Sequence, residues 1–72
     1  MFGERVREER VKKDLTQAQL AEMVRVSSPM ITQIERGTKQ ASAPLIGELA
    51  KVLGCTADYL IYGDGLLKKE SA

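Results

Sequence analysis

The chain has 72 residues, enough for one small domain, and with 43% hydrophobic but only 4% aromatic residues it predicts a single aliphatic core. It has no histidine and one cysteine, Cys55, which excludes an internal disulfide, a zinc finger and imidazole chemistry. The net charge is only +1, and residues 1–40 carry the positive excess, with 8 Lys/Arg against 6 Asp/Glu. No apolar run approaches the roughly 20 residues of a membrane span, and the start lacks the apolar centre of a secretory signal.

The first predicted helix covers about residues 2–13 and carries an apolar stripe through Phe2 and Val6. The next position in that stripe is Arg10, and Glu35 lies on the core side of a later helix. A charge buried alone is unstable, so we expect Arg10 and Glu35 to form an ion pair. The alternative is that both side chains lie at the margin of the core and extend into water.

Residues 16–37 predict two short helices joined by a tight turn. Thr16 and Gln19 fit a capping box at the first helix start, and Ser27 fits a cap at the second. Each cap is flanked by a hydrophobic staple, formed by Leu15 with Leu20 and by Val26 with Ile31. Gly37 supplies the left-handed residue that ends the second helix. Two helix starts so close together leave room for only a short turn, which is a helix-turn-helix.

Two more helices are predicted after a polar linker. Ser42 or Ala43 starts the fourth, which tolerates Pro44 in its first turn, and a short fifth helix covers residues 57–62. We expect Cys55, between these two helices, to be a small buried thiol. The fold class is therefore all-α, a compact five-helix bundle that contains the helix-turn-helix.

The second motif helix, about residues 28–36, presents a polar face away from its core side. Gln33 is the best candidate for reading a base, because its amide can donate and accept together and so match adenine N6 and N7. Thr32 and Ser28 can bond to a base or to phosphate, and the ring of Pro29 can touch a thymine methyl group. The alternative is an ordinary solvated helix face.

The chain resembles the lambdoid phage repressor and Cro proteins and their Xre-type bacterial relatives. The matching residues are Thr16, Gln17, Leu20, Ala21, Val26, Ser27, Ile31, Ile34, Glu35 and Gly37. The resemblance covers about residues 2–63 and implies a lambda-repressor-like domain that binds double-stranded DNA sequence-specifically. It implies a dimeric transcriptional regulator, most often a repressor, whose second motif helix enters the major groove. We assign residues 1–63 to this domain and residues 64–72 to a flexible C-terminal tail.

The resemblance also implies roles for individual residues. Base contacts of the family map onto Ser28, Pro29, Thr32 and Gln33. Phosphate contacts are expected from Gln17, Arg25, Ser27, Arg36, Lys39 and Gln40. The family pairs Arg10 with Glu35, and it implies a homodimer on a two-fold symmetric operator. The expected dimer contact consists of Pro44, Ala57, Tyr59 and Leu60.

The sequence departs from the family pattern in three places. Arg25 stands in the turn where the family usually has glycine, at a position that commonly requires positive φ. Pro29 disfavours helical geometry at the residue before it, which leaves Ser28 as an alternative to the favoured cap, Ser27. Pro44 and its neighbour Ala43 occupy a region where some relatives insert a basic side chain into the minor groove.

Two other classes of protein stay open. One is an antitoxin-like interaction module, with Tyr59, Leu60 and Tyr62 as the surface for a protein partner. The other is the DNA-binding fragment of a longer repressor. The sequence shows no nucleophile–base constellation, so we expect no enzyme, cofactor, metal site, small-molecule ligand or membrane association. We expect a cytoplasmic protein of bacterial or phage origin.

Overall fold

The computed structural model describes residues 1–63, which form five α-helices, and the predicted tail at residues 64–72 lies outside the described part. The helices are α1 Phe2–Lys12, α2 Gln17–Met23, α3 Ser28–Arg36, α4 Ala43–Leu53 and α5 Ala57–Tyr62. The predicted all-α, five-helix fold is confirmed. Only the end of α1 differs by a residue from its predicted bound, because Lys13 has left helical geometry and caps the helix.

Local side-chain caps start four of these helices. The Thr16 hydroxyl accepts from the Gln19 backbone N–H at 3.0 Å, and the Gln19 side chain accepts from the Thr16 N–H at 2.9 Å, which completes the predicted capping box. Ser27 is the cap of α3, with its hydroxyl 3.3 Å from the Met30 nitrogen, and Pro29 fits in the first turn. The remaining caps are Ser42 for α4 and Thr56 for α5. Helix starts are therefore set by contacts three residues apart.

The core lies where α1 meets the other helices. Its buried members are Val6, Leu20, Ala21, Val24, Ile31, Leu49, Ala50, Leu53 and Leu60. Helix α1 packs against α3, α4 and α5, while α2 packs against α3. The first helix therefore connects the helix-turn-helix to the C-terminal helices and holds the inner side of α3.

The contact between α1 and α3 depends on a glycine at its centre. Gly3 is buried, and a Cβ atom at this position would collide with the backbone carbonyl oxygens of Ile34 and Glu35. Any side chain would push the two helix backbones apart. Gly3 therefore sets how closely α1 approaches the C-terminal half of α3, a role that the sequence analysis did not identify.

The end of α5 is capped by a side chain from α1. The guanidinium of Arg5 donates from Nε to the Leu60 carbonyl oxygen at 2.8 Å and from Nη2 to the Ile61 carbonyl oxygen at 2.7 Å. The last carbonyls of a helix have no partner within the helix, so a cation that donates to them is stabilising. Arg5 thereby ties the two ends of the described chain together.

Candidate nucleic-acid interface

The polar residues of α3 form two adjacent stripes, one opposite the buried Ile31 and Ile34 and one beside them. The exposed stripe consists of Pro29, Gln33 and Arg36. The neighbouring stripe is partly buried and consists of Ser28, Thr32 and Glu35. The candidate base readers therefore divide into two pairs. One pair is open to solvent, and the other is turned toward the side of α3 on which α1 and α2 lie.

The ion-pair candidates Arg10 and Glu35 are in contact across α1 and α3. Arg10 Nε lies 2.7 Å from Glu35 Oε2, and Arg10 Nη2 lies 3.2 Å from Glu35 Oε1. The third guanidinium nitrogen, Nη1, donates to the Leu15 carbonyl oxygen at 2.7 Å. One arginine side chain thus fixes α3 relative to α1 and to the turn that precedes α2.

Gln17, a candidate phosphate contact, connects α2 to α3 through its side chain. Its Nε2 donates to Glu35 Oε1 at 3.0 Å, and its Oε1 accepts from the Thr32 hydroxyl at 2.7 Å. The second N–H of Nε2 has no hydrogen-bond partner among residues 1–63. Sequence reasoning did not foresee the contact with Thr32, because it depends on how two side chains on different helices rotate.

The turn between α2 and α3 contains a strained residue. Arg25 has φ 61°, in the left-handed region, at the position where the family usually has glycine. The residue is exposed and lies three residues before the first residue of α3. Asp14, in the turn before α2, has a similar φ of 57°, which the sequence analysis did not anticipate.

Further polar and cationic residues lie near the C-terminal end of α3. Gly37 ends the helix with φ 82°, and the exposed Lys39 and Gln40 follow in the loop. A hollow of about 340 Å³ beside the helix is lined by Arg7, Gln17, Thr32, Glu35 and Arg36. Arg7 was not singled out from sequence, although it lies three residues before Arg10 and so nearly on the same side of α1.

The four candidate dimer contacts do not share one environment. Pro44 is exposed, and together with the partly buried Ala57 it lines a shallow hollow of about 530 Å³ between α4 and α5. Tyr59 is partly buried against the core, whereas Leu60 is 0% exposed within it. Leu60 is therefore not available to a second copy, because its side chain fills the core of its own domain. This corrects the expectation for Leu60.

Other chemically active groups are few in the described residues. Cys55 is partly buried, and burial raises the pKa of its thiol, which stays protonated and weakly nucleophilic at neutral pH. Within residues 1–63 no group of three His, Cys, Asp or Glu side chains is placed to hold a metal ion. Over the same residues, no helix combines the length and the hydropathy needed to cross a membrane.

Comparison with known proteins places these features in a family. The family described as helix-turn-helix matches residues 6–60. Repressor protein C2 of Salmonella phage P22 is 41% identical over 64 residues, which cover 89% of this chain and 30% of that protein. The HTH-type transcriptional regulator DicA of Escherichia coli (strain K12) is 34% identical over 63 residues, 88% of this chain and 47% of that protein. The chain thus spans less than half the length of these relatives.

The fold is also similar to that of a solved protein–DNA complex. The P22 c2 repressor protein in complex with synthetic operator 9T matches with a TM-score of 0.86 and 41% identity. The match covers 89% of this chain and 97% of that one. The arrangement of the five helices is therefore similar to that of the P22 c2 repressor protein.

Proposed function

Since the chain belongs to the helix-turn-helix family of Xre-type regulators and lambdoid phage repressors, we propose that it binds double-stranded DNA sequence-specifically as a transcriptional repressor. The family is one of DNA-binding transcriptional regulators and not of enzymes. The observation that carries the proposal is the exposed stripe of α3, which has Gln33 at its centre. Ile31 and Ile34, 0% and 1% exposed, anchor the opposite side of the helix in the core. A rigid helix with an outward amide suits the major groove.

Base reading is assigned to the outer surface of α3. Gln33 is exposed and can form a bidentate contact with adenine N6 and N7. Pro29 lies one turn earlier on the same stripe, where its ring can meet a thymine methyl group. Ser28 and Thr32 lie beside them, on the partly buried stripe, and contribute hydroxyl groups at its edge.

Phosphate contacts are assigned to groups that flank this surface. Arg25 and Ser27 lie before the start of α3, and Arg36 with the loop residues Lys39 and Gln40 lies at its end. Gln17 contributes its second amide N–H from α2. Three of these six groups are charged, so affinity is modest and depends on salt through the release of counterions.

A dimer gives the protein enough sequence to read. One helix of nine residues contacts only a few base pairs, and a second copy doubles the site. The dimer contact is assigned to Pro44, Ala57 and Tyr59, without Leu60. Two such copies bind half-sites about one DNA turn apart, roughly 34–36 Å.

The place of action is the cytoplasm, where bacterial and phage operators are found.

A protein partner is the second candidate function. It is favoured by two exposed apolar side chains at the end of α5, Ile61 at 42% and Tyr62 at 61% exposure. These side chains suit an antitoxin-like contact or a further domain of a longer repressor. Neither role conflicts with DNA binding by α3.

Selection of bound duplexes from a random pool tests the proposed function. The expected result is one enriched motif with two-fold symmetry and half-sites about 10–10.5 base pairs apart, both protected in a footprint. The Lys12→Ala variant is a matched control, because Lys12 is exposed on α1 and pairs only with Glu9 among the described residues. This variant should return the same motif. No enriched motif, or protection of a single half-site at saturation, contradicts the proposal.

A further inference from the structure

A series of hydrogen-bonded polar side chains runs from α1 to the side of α3 proposed to face DNA. It begins at the ion pair of Arg10 and Glu35. The Arg10 guanidinium can only donate hydrogen bonds, and the Glu35 carboxylate beside it can only accept them. Any further side chain that bonds to Glu35 must therefore be a donor. The charge of the Glu35 carboxylate therefore determines that Gln17 is the donor in the hydrogen bond between them.

The next side chain, Gln17, has its amide orientation determined by this carboxylate. Its nitrogen lies 3.0 Å from Glu35 Oε1 and its oxygen 2.7 Å from the Thr32 hydroxyl. Rotating the amide by half a turn would place two acceptor oxygens against each other at Glu35. The amide oxygen of Gln17 consequently faces Thr32.

The last side chain, Thr32, has one hydroxyl proton, and the protein uses it. Gln17 Oε1 accepts this proton at 2.7 Å, and the only other partner within residues 1–63, the Ser28 carbonyl oxygen at 3.3 Å, is also an acceptor. Whichever of these partners is chosen, the proton points into the protein. The lone pairs of the hydroxyl oxygen are what remains for a ligand.

We propose that Thr32 is a specificity-determining residue that acts only as an acceptor toward DNA. It would take a hydrogen bond from an exocyclic amino group in the major groove, adenine N6 or cytosine N4, and would not donate to guanine O6, purine N7 or thymine O4. A free threonine hydroxyl can bond to a donor or to an acceptor on a base. The hydrogen bond to Gln17 restricts Thr32 to donors on the base. The inference rests on the proposed function, because it specifies one contact of the same surface.

A double-mutant cycle between protein and DNA tests the proposal. The parent, Thr32→Ser and Thr32→Val are each titrated against the selected operator, and then against operators in which single amino groups or single N7 atoms are removed by base analogues. Serine keeps the hydroxyl, whereas valine keeps the shape without it. The affinity of the parent and of Thr32→Ser should fall about three- to tenfold when one particular amino group per half-site is removed. The affinity of Thr32→Val should not change with that group.

The outcomes separate reading from a structural role. If Thr32 only supports Gln17, Thr32→Val lowers affinity for all duplexes by one factor and couples to no single base group, which overturns the proposal. Coupling to an N7 atom or to thymine O4 overturns it as well. A parent chain that enriches no motif contradicts the proposed function.

The direction of the hydroxyl proton can be tested in the free protein. NMR should show a Thr32 hydroxyl proton that exchanges slowly with water and has a cross-peak to the Gln17 side chain. A rapidly exchanging proton overturns the inferred network, whatever the result with DNA.

Discussion

Arg10 and Glu35 form a two-point ion pair that is nearly closed off from water, with side-chain exposures of 12% and 3%. Because the pair joins α1 to α3, it determines where the surface proposed to face DNA lies on the domain. Desolvation of a charge is costly, so each partner is stable in this position only while the other is present. The position of α3 relative to α1 thus depends on this ion pair.

Arg10→Ala should lower the free energy of unfolding by about 3–5 kcal/mol, because Glu35 is left as an uncompensated charge. That loss is a large part of the stability of a small domain. The double variant Arg10→Met with Glu35→Leu should recover much of it. Urea unfolding followed by circular dichroism measures the change, with Lys12→Ala, which removes an exposed cation from its pair with Glu9, as the control. An Arg10→Ala midpoint equal to that of the parent contradicts a stabilising pair.

Gly3→Ala and Gly47→Ala should have opposite effects on stability. Both residues lie in helices, where alanine is favoured over glycine by about 0.5–1 kcal/mol. A Cβ at Gly47 meets nothing within 4 Å, so that variant should be stabilised by this amount. A Cβ at Gly3 collides with the backbone of α3, so that variant should be destabilised. Thermal melts of the two variants test this prediction. Equal shifts in melting temperature would mean that α1 does not approach α3 so closely.

The strain at Arg25 predicts a difference between two neutral replacements. Its φ of 61° suits glycine, so Arg25→Gly should be more stable than Arg25→Ala by about 1 kcal/mol. Both variants lack the charge, so a phosphate contact by Arg25 requires both to bind DNA more weakly and with a smaller salt dependence. Chemical denaturation and titrations at several salt concentrations measure the two effects independently. Equal stability of the variants would show that the turn relaxes at no cost.

Ala57→Glu should impair the dimer without impairing the DNA-reading surface. The new carboxylate would lie beside Pro44 in the hollow between α4 and α5 and would face its own copy across the two-fold axis. Binding to the complete operator should weaken about tenfold or more, equivalent to about 1.4 kcal/mol. A duplex with one half-site is the internal control and should bind the variant and the parent equally. Unchanged binding to the complete operator would place the dimer contact elsewhere.

Much of the fold was predictable because its signals are local. The caps Thr16 and Ser27 act on backbone groups three residues away, so they can be recognised in the sequence. The roles of Gly3 and Arg5 could not be predicted, since their partners lie in α3 and α5, far along the chain. Only the folded backbone brings these residues together.

The candidate site was predictable to the same limited extent. A helical period of about 100° per residue places Gln33 opposite Ile31 and Ile34, and the structure shows it exposed. The hydrogen bond between Thr32 and Gln17 depends on side-chain rotation, which no spacing encodes. Leu60 was expected at the dimer contact from the family resemblance, and a helix as short as α5 shows too little periodicity to identify its buried side.

In the proposed complex, α3 reads bases through Gln33 while other residues contact the phosphates. Gln33→Ala removes an exposed amide, and Lys39→Ala, the matched control, removes an exposed charge beyond the end of the same helix. Lys39→Ala should weaken binding to cognate and scrambled duplexes equally and reduce the salt dependence by about one unit of slope per lost phosphate contact.

Titration of Gln33→Ala against the cognate and a scrambled duplex is the most direct measurement. Affinity for the cognate duplex should fall by about 1–3 kcal/mol, with preference relaxed at one base pair per half-site. Affinity for the scrambled duplex and the salt dependence should stay as in the parent. If Gln33→Ala instead weakened binding to both duplexes by the same factor, Gln33 would not read a base, and the claim would be contradicted.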